Sequence, residues 1–265
     1  MKNMETMHNS NSEKIVAFEN QQEIMGKIRE DGFAEYAKTL PNMADAFDLE
    51  KNKASSELHR CICCMDGRTP CGIHSAGSGM LLSDAEFNKL FEESEADSIS
   101  SHTGCGAAKI YAERNGLSGD PDEIAKQWAQ EKAKELGVPY VHLEVDKPFH
   151  YERVCYYDGT GNFNYKGVKG LPPGFVVGRK FMEKGASLAE VGVAINIIFG
   201  DHGLGGLLNE ENPFVLAVVA DNQKEMEELK KELEEVVKTL GKKVTINGFI
   251  SPKEEEETKI SRIAA

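Results

Sequence analysis

Apolar positions along this chain follow helical spacing in some stretches and run together in others, and the changes between the two set out most of the expected elements. Ile24, Ile28, Phe33 and Tyr36 recur at near-helical intervals, which predicts an amphipathic helix over 21–40 ended by Pro41. Leu58 to Met65 is a mostly apolar run leading into Asp66-Gly67-Arg68-Thr69-Pro70, the pattern of a buried strand and its turn. Cys71 to Leu82 predicts a second strand interrupted by Gly77-Ser78-Gly79, after which Ser83 caps a helix over 84–95. A short strand over 98–101 and a helix over 104–115 follow. The helix over 120–136 opens on Asp-Pro-Asp-Glu and closes at Gly137, and Val138 to Val145 returns as a strand. Asp158-Gly159-Thr160-Gly161-Asn162, between aromatic flanks, is a hairpin signal. Leu188 to Phe199 predicts an apolar helix. Strand 213–220, charged helix 223–240 and strand 243–250 then make a terminal β-α-β unit.

This alternation predicts an α/β fold with a mostly parallel sheet covered by helices. One domain over 20–265 is expected, made of an N-terminal helix and charged linker (20–56), a core (57–170) and a C-terminal extension (171–265). Residues 1–19, rich in Asn, Ser and Glu, predict a disordered arm. The Lys253 to Glu257 run reads as a solvated tail. The chain shows no internal repeat.

Composition narrows the function classes. A chain of 265 residues, 40% hydrophobic and 28% charged, can bury a full core, and no apolar run approaches the roughly 20 residues of a bilayer span. The N-terminus lacks the apolar stretch of a signal peptide, so a cytoplasmic protein is expected. A formal charge of −13 argues against nucleic acid or anionic membrane as partner. Of the 6 cysteines, the four at 61, 63, 64 and 71 crowd together instead of spreading as a disulfide framework would, which favours a reducing compartment and metal or catalytic use.

The candidate chemistry lies in two short stretches. Cys64, Asp66 and Arg68 stand at alternate positions where a parallel strand ends, the place α/β folds put functional side chains. His102 and Cys105 follow downstream. Two thiolates and one imidazole make three ligands, which leaves a fourth tetrahedral position open and points to catalytic, not structural, zinc. Cys61-x-x-Cys64 alone would equally be half of a zinc knuckle or a redox pair, and Cys63 competes with Cys64 as ligand. Cys71 and Cys155 read as small buried hydrophobes. Gly200 to Gly206 invites a phosphate-loop reading, but it follows a helix and lacks a Walker lysine, so a flexible turn is expected there, with His202 simply hydrogen-bonded. His74, on the strand beside the first stretch, is a candidate for proton transfer or else a core histidine.

Cys64-x-Asp66-x-Arg68 with His102-x-x-Cys105 resembles the signature of the β-class carbonic anhydrases. The resemblance extends over roughly 58–117. Ile73-His74-Ser75-Ala76-Gly77 is similar to the family's Ile-Arg-Asn-Ala-Gly, with His74 and Ser75 in place of Arg and Asn, and His102-Thr-Gly-Cys-Gly-Ala107 is similar to His-Thr-Asp-Cys-Gly-Ala. The chain after about residue 170 has no counterpart, as in a divergent branch such as the LCIB-type proteins. The resemblance implies a β-carbonic-anhydrase-like fold and reversible hydration of carbon dioxide to bicarbonate and a proton through zinc-bound hydroxide. It also implies a homodimer or a higher assembly of dimers. Cys64, His102 and Cys105 would be the zinc ligands, Asp66 the acceptor for the bound water, and Arg68 its orienting partner. Ser75, Ala76 and Gly77, with His74, would wall the substrate pocket. Two thiolates cancel the charge of the ion, so activity is expected to rise toward alkaline pH. Hydrolysis of carbonyl sulfide or carbon disulfide at the same site, and a non-catalytic zinc-binding or bicarbonate-sensing role, are the alternatives.

Overall fold

The computed structural model describes residues 2–70, 72–145, 149–238 and 240–252. Four helices, α1 (Lys2–Glu19), α2 (Gln22–Asp31), α3 (Phe33–Lys38) and α4 (Leu49–Ser55), precede the first strand. The chain continues through β1 (Cys61–Cys64), β2 (Ile73–Ser75), α5 (Asp84–Glu93), β3 (Ser98–His102), α6 (Gly106–Arg114), α7 (Pro121–Leu136) and β4 (Tyr140–Leu143). It closes with β5 (Val154–Asp158), β6 (Gly174–Val177), α8 (Lys184–Phe199), β7 (Phe214–Ala220), α9 (Gln223–Val237) and β8 (Val244–Ile250).

The α/β class holds, but the strands form two sheets and not one. Every described pairing is parallel, in the orders β2-β1-β3-β4 and β6-β5-β7-β8. Parallel strands covered on both faces read as continuous apolar runs, and β7 is buried at each of its positions. The same property hid the division between the sheets. β5 is as apolar as β1, and nothing in its sequence says that it pairs with β6 and β7 instead of β4. The second sheet begins with β5, ahead of residue 170 where the core was expected to end. The hairpin expected at Asp158 is also absent. The Asp158 carboxylate accepts from the Thr160 N–H and hydroxyl at 2.8 and 2.7 Å and from the Gly161 N–H at 3.1 Å, closing a local turn before the chain crosses to a parallel β6.

Helix termini match their signals. Ser83 and Glu86 form a reciprocal capping box on α5, and α7 starts with Asp120 as cap and Pro121 at its first position and ends at Gly137 in the left-handed region. The N-terminal expectations need correction. Residues 2–19 are helical, and Ala17 and Phe18 are buried, which gives this segment apolar contacts its polar composition conceals. The helix expected over 21–40 is broken at Gly32, whose φ of 84° a helix cannot contain. Part of the supposed linker is core: Ala46 and Phe47 are fully buried, and the Phe47 ring lies 5.4 Å from that of Phe163. Lys253 to Glu257 and Cys71 lie outside the described residues.

The two sheets meet beside the end of β1. The Val176 N–H donates to the Met65 carbonyl at 2.9 Å, and the Gly178 N–H to the His74 carbonyl at 3.4 Å. A Cβ at Gly67 would stand 1.8 Å from the Gly174 carbonyl oxygen, so this approach requires glycine. The turn carrying Asp66 and Arg68 is thereby wedged at the joint.

Candidate metal centre

Cys64 is the last residue of β1, His102 the last of β3, and Cys105 the cap position of α6. Because β1 and β3 are neighbours in one parallel sheet, their carboxyl ends deliver all three side chains to one point. Cys64, His102 and Cys105 are 4%, 1% and 4% exposed, and their ligating atoms lie within 4.8 Å of one another. The sulfurs are 3.9 Å apart. The group could hold a metal ion, and one observation favours that use. The His102 Nδ1–H donates to the Thr103 carbonyl at 2.8 Å, which leaves Nε2, buried and without a protein partner, as the lone-pair donor. In the metal-free chain the Cys105 thiol donates to Cys64, holding the Cys64 thiol well below its usual range and pushing Cys105 well above it. Burial opposes the charged form of His102, yet the neighbouring Cys64 thiolate raises its pKa to about 9. A bound cation would replace these protons, since thiolate and neutral imidazole are the ligating forms.

Cys63 does not compete for this role, because it is disulfide-bonded. The bond also departs from the fully reduced set expected from the clustering. Cys155, within β5, is fully buried in the apolar core, as expected of a small hydrophobe.

Asp66, two residues beyond Cys64, is 1% exposed. Arg68 grips it from backbone and side chain: N–H to Oδ1 at 3.0 Å, Nε to Oδ1 at 2.8 Å and Nη2 to Oδ2 at 2.6 Å. Burial alone would raise the Asp66 pKa, but these bonds and the nearby positive groups hold it far below the usual carboxylate range. Arg68 is itself fixed by the Phe149 carbonyl at 3.1 Å and lies 3.7 Å from Glu152. Asp66 Oδ2 remains 3.9 Å from His102 Nδ1. A carboxylate kept ionised beside the ligands, and kept from swinging freely, is the result.

The remaining predicted residues surround Cys64. The Gly77 N–H donates to Cys64 Sγ at 3.3 Å, and the His74 Nδ1–H to the Cys64 carbonyl at 2.9 Å. Gly77 has a φ of 59°, and a Cβ there would meet Met80 at 2.6 Å. Ser75 and Ala76 are buried, but they face a residue that sequence reasoning passed over. The Ser75 hydroxyl and the Ala76 N–H, the latter at 2.9 Å, both donate to Glu190 Oε1. His202 is exposed, and its carbonyl accepts from the His150 N–H at 2.7 Å.

Three site residues were missed. His150 Nδ1 is 3.9 Å from Asp66 Oδ2 and 3.4 Å from Glu152 Oε2, and all three side chains are buried. They are close enough to hold a cation, but Arg68 already supplies the positive charge between Asp66 and Glu152. The available signal was a His and a Glu two apart just ahead of the apolar run of β5. Glu190 was legible as one acid inside the apolar helix α8.

Burial pushes the Glu190 carboxyl up to about 8, against an ordinary value of 4.5, and its Oε2 has no partner. A raised acid pKa means that the folded state binds the proton more tightly. Its contribution is full below about pH 4.5 and is lost as pH rises through about 8. Glu190→Gln, which mimics the protonated form, should therefore match the wild type near pH 5 and exceed it at pH 9 by roughly 3–5 kcal/mol in the metal-free protein. Urea unfolding at the two pH values measures this, and an unchanged gap between them would refute it.

A cavity of about 450 Å³ opens beside the centre, with Arg68, Tyr151 and Lys166 on its wall. Burial lowers the Lys166 pKa to about 8, and its ammonium donates to the Thr69 carbonyl at 2.8 Å. Compared with known proteins, the chain matches no family model, no curated protein and no solved structure at a significant level. Among the described residues, no helix is long and apolar enough to cross a membrane.

Proposed function

We propose that this chain is a zinc-dependent carbonic anhydrase that interconverts carbon dioxide and bicarbonate. The observation that supports it most is the buried Cys64–His102–Cys105 trio beside a carboxylate that Arg68 keeps ionised. Two thiolates and an imidazole suit a borderline-soft cation, and a set of three leaves room for a fourth ligand. Zinc held there would act as a Lewis acid that lowers the pKa of water. The protein does the rest. Asp66, able only to accept, selects and orients a group that brings a proton. Arg68 fixes the direction of that acceptor with a forked grip, and Phe149 and Glu152 fix Arg68.

Stopped-flow hydration of carbon dioxide by zinc-loaded protein, at pH 7 and pH 9, tests the reading. Turnover that rises with pH and vanishes on chelation is expected. Background rates at full zinc occupancy at both pH values would overturn it. Hydrogen sulfide release from carbonyl sulfide under the same conditions would move the assignment to that substrate.

A further inference from the structure

Arg153 is unusual among the charged residues of this protein. It is 1% exposed, yet among the described residues no carboxylate pairs with it. Its Nη1 donates to Gln22 Oε1 at 2.9 Å, the Phe18 ring covers the guanidinium at 4.3 Å, and its buried Nε–H has no acceptor. The cation–π contact offsets part of the lost hydration but gives that N–H nothing to bond. Burial, with the like charge of Arg29 beside it, lowers the Arg153 pKa to about 10. A buried cation without a counter-charge is the arrangement folded proteins avoid.

Arg153 lines a cavity of about 120 Å³ enclosed by α2, the approach to β5, the loop before β7, and β8. The groups around this space are rich in donors. Arg29 lines it from α2, anchored by one bond to the Glu211 carbonyl. Gln22 has committed its Oε1 to Arg153, and Asn247 its Oδ1 to the Phe33 N–H at 3.2 Å, so each keeps its NH2 as a free-standing donor. Thr245 adds a hydroxyl. Two positive charges, Arg153 buried and Arg29 exposed, outnumber the one acid among the lining residues, Glu211, and with the spare N–H donors and room for a few heavy atoms they define a complement to one kind of ligand.

We propose that this cavity binds a small oxyanion, of the phosphate or bicarbonate kind, through Arg153 and Arg29. The ligand would supply the missing counter-charge for both guanidinium groups that line the space. The formal charge of −13 disfavours indiscriminate anion binding elsewhere on the surface, which makes a saturable signal diagnostic. The proposal is independent of the reading of the metal centre, which lies on the other side of the segment: Glu152 faces that centre, and its neighbour Arg153 faces this cavity.

Titration calorimetry of the full chain with inorganic phosphate, with bicarbonate, and with chloride at matched ionic strength is the test. Saturable one-to-one binding of at least one oxyanion and none of chloride is expected, with a rise in melting midpoint of about 5 °C at a hundred times Kd. The tighter of the two oxyanions identifies the source of the ligand. Arg29→Gln, at an exposed position that leaves the fold intact, should weaken binding about tenfold, and Arg153→Gln should abolish it. Absence of saturable oxyanion binding, or equal affinity in Arg29→Gln, would overturn the proposal even if Arg153→Gln fails to fold.

Discussion

Arg68→Ala is expected to abolish carbon dioxide hydration while the metal stays bound. The substitution touches none of the three candidate ligands, but it removes the Nε and Nη2 bonds that hold Asp66 and a positive charge 3.7 Å from Glu152. Asp66 is buried, and burial alone raises its pKa. Without the guanidinium it either takes up a proton and stops accepting or is released to turn toward an ion that Cys64, His102 and Cys105 would hold. Both outcomes end turnover. The variant should also lose about 3–5 kcal/mol of stability, because it leaves buried carboxylates uncompensated. Arg68→Lys restores charge without the fork and should recover the stability more than the rate. Metal analysis alongside stopped-flow rates checks the separation, and full activity in Arg68→Ala would remove Arg68 from the mechanism.

Cys64→Ser attacks the other half of the centre. A serine hydroxyl is neutral at pH 7 and a harder ligand than thiolate, and the Gly77 N–H loses its sulfur acceptor. Taking one ligand as about a quarter of the 10–16 kcal/mol typical of four-ligand zinc sites, affinity should fall by roughly two to three orders of magnitude, and hydration with it. Cys155→Ala is the matching control, a buried cysteine away from the trio that should keep the metal. Competition with a chromophoric chelator reads the affinity directly. Equal affinities in Cys64→Ser and wild type would show that the trio is not the metal site.

The centre was more legible in the sequence than the architecture around it. Cys64, Asp66, Arg68, His102 and Cys105 stand out because their chemistry depends on short spacings, and a strand end or helix start turns short spacing into proximity. His150, Glu152 and Glu190 reach the same centre through tertiary packing, and local pattern carries no distance between residue 66 and residue 150. The division into two sheets was hidden for a related reason. Buried parallel strands share one composition, so the run of β5 names a strand without naming its neighbours. The N-terminal arm shows the opposite failure, in which a polar average masked two residues, Ala17 and Phe18, that anchor a helix.

The position of the turn at Gly67, against Gly174 where the two sheets meet, gives the centre an uneven parentage. All three ligands come from the first sheet and the helix that follows it. The clamp on Asp66 is braced by Phe149 and Glu152, on the approach to the second. The trio able to hold an ion and the carboxylate beside it thus answer to different parts of the chain. A change of one or two residues in the connection before β5 would reset the Asp66 carboxylate while leaving Cys64, His102 and Cys105 where they are.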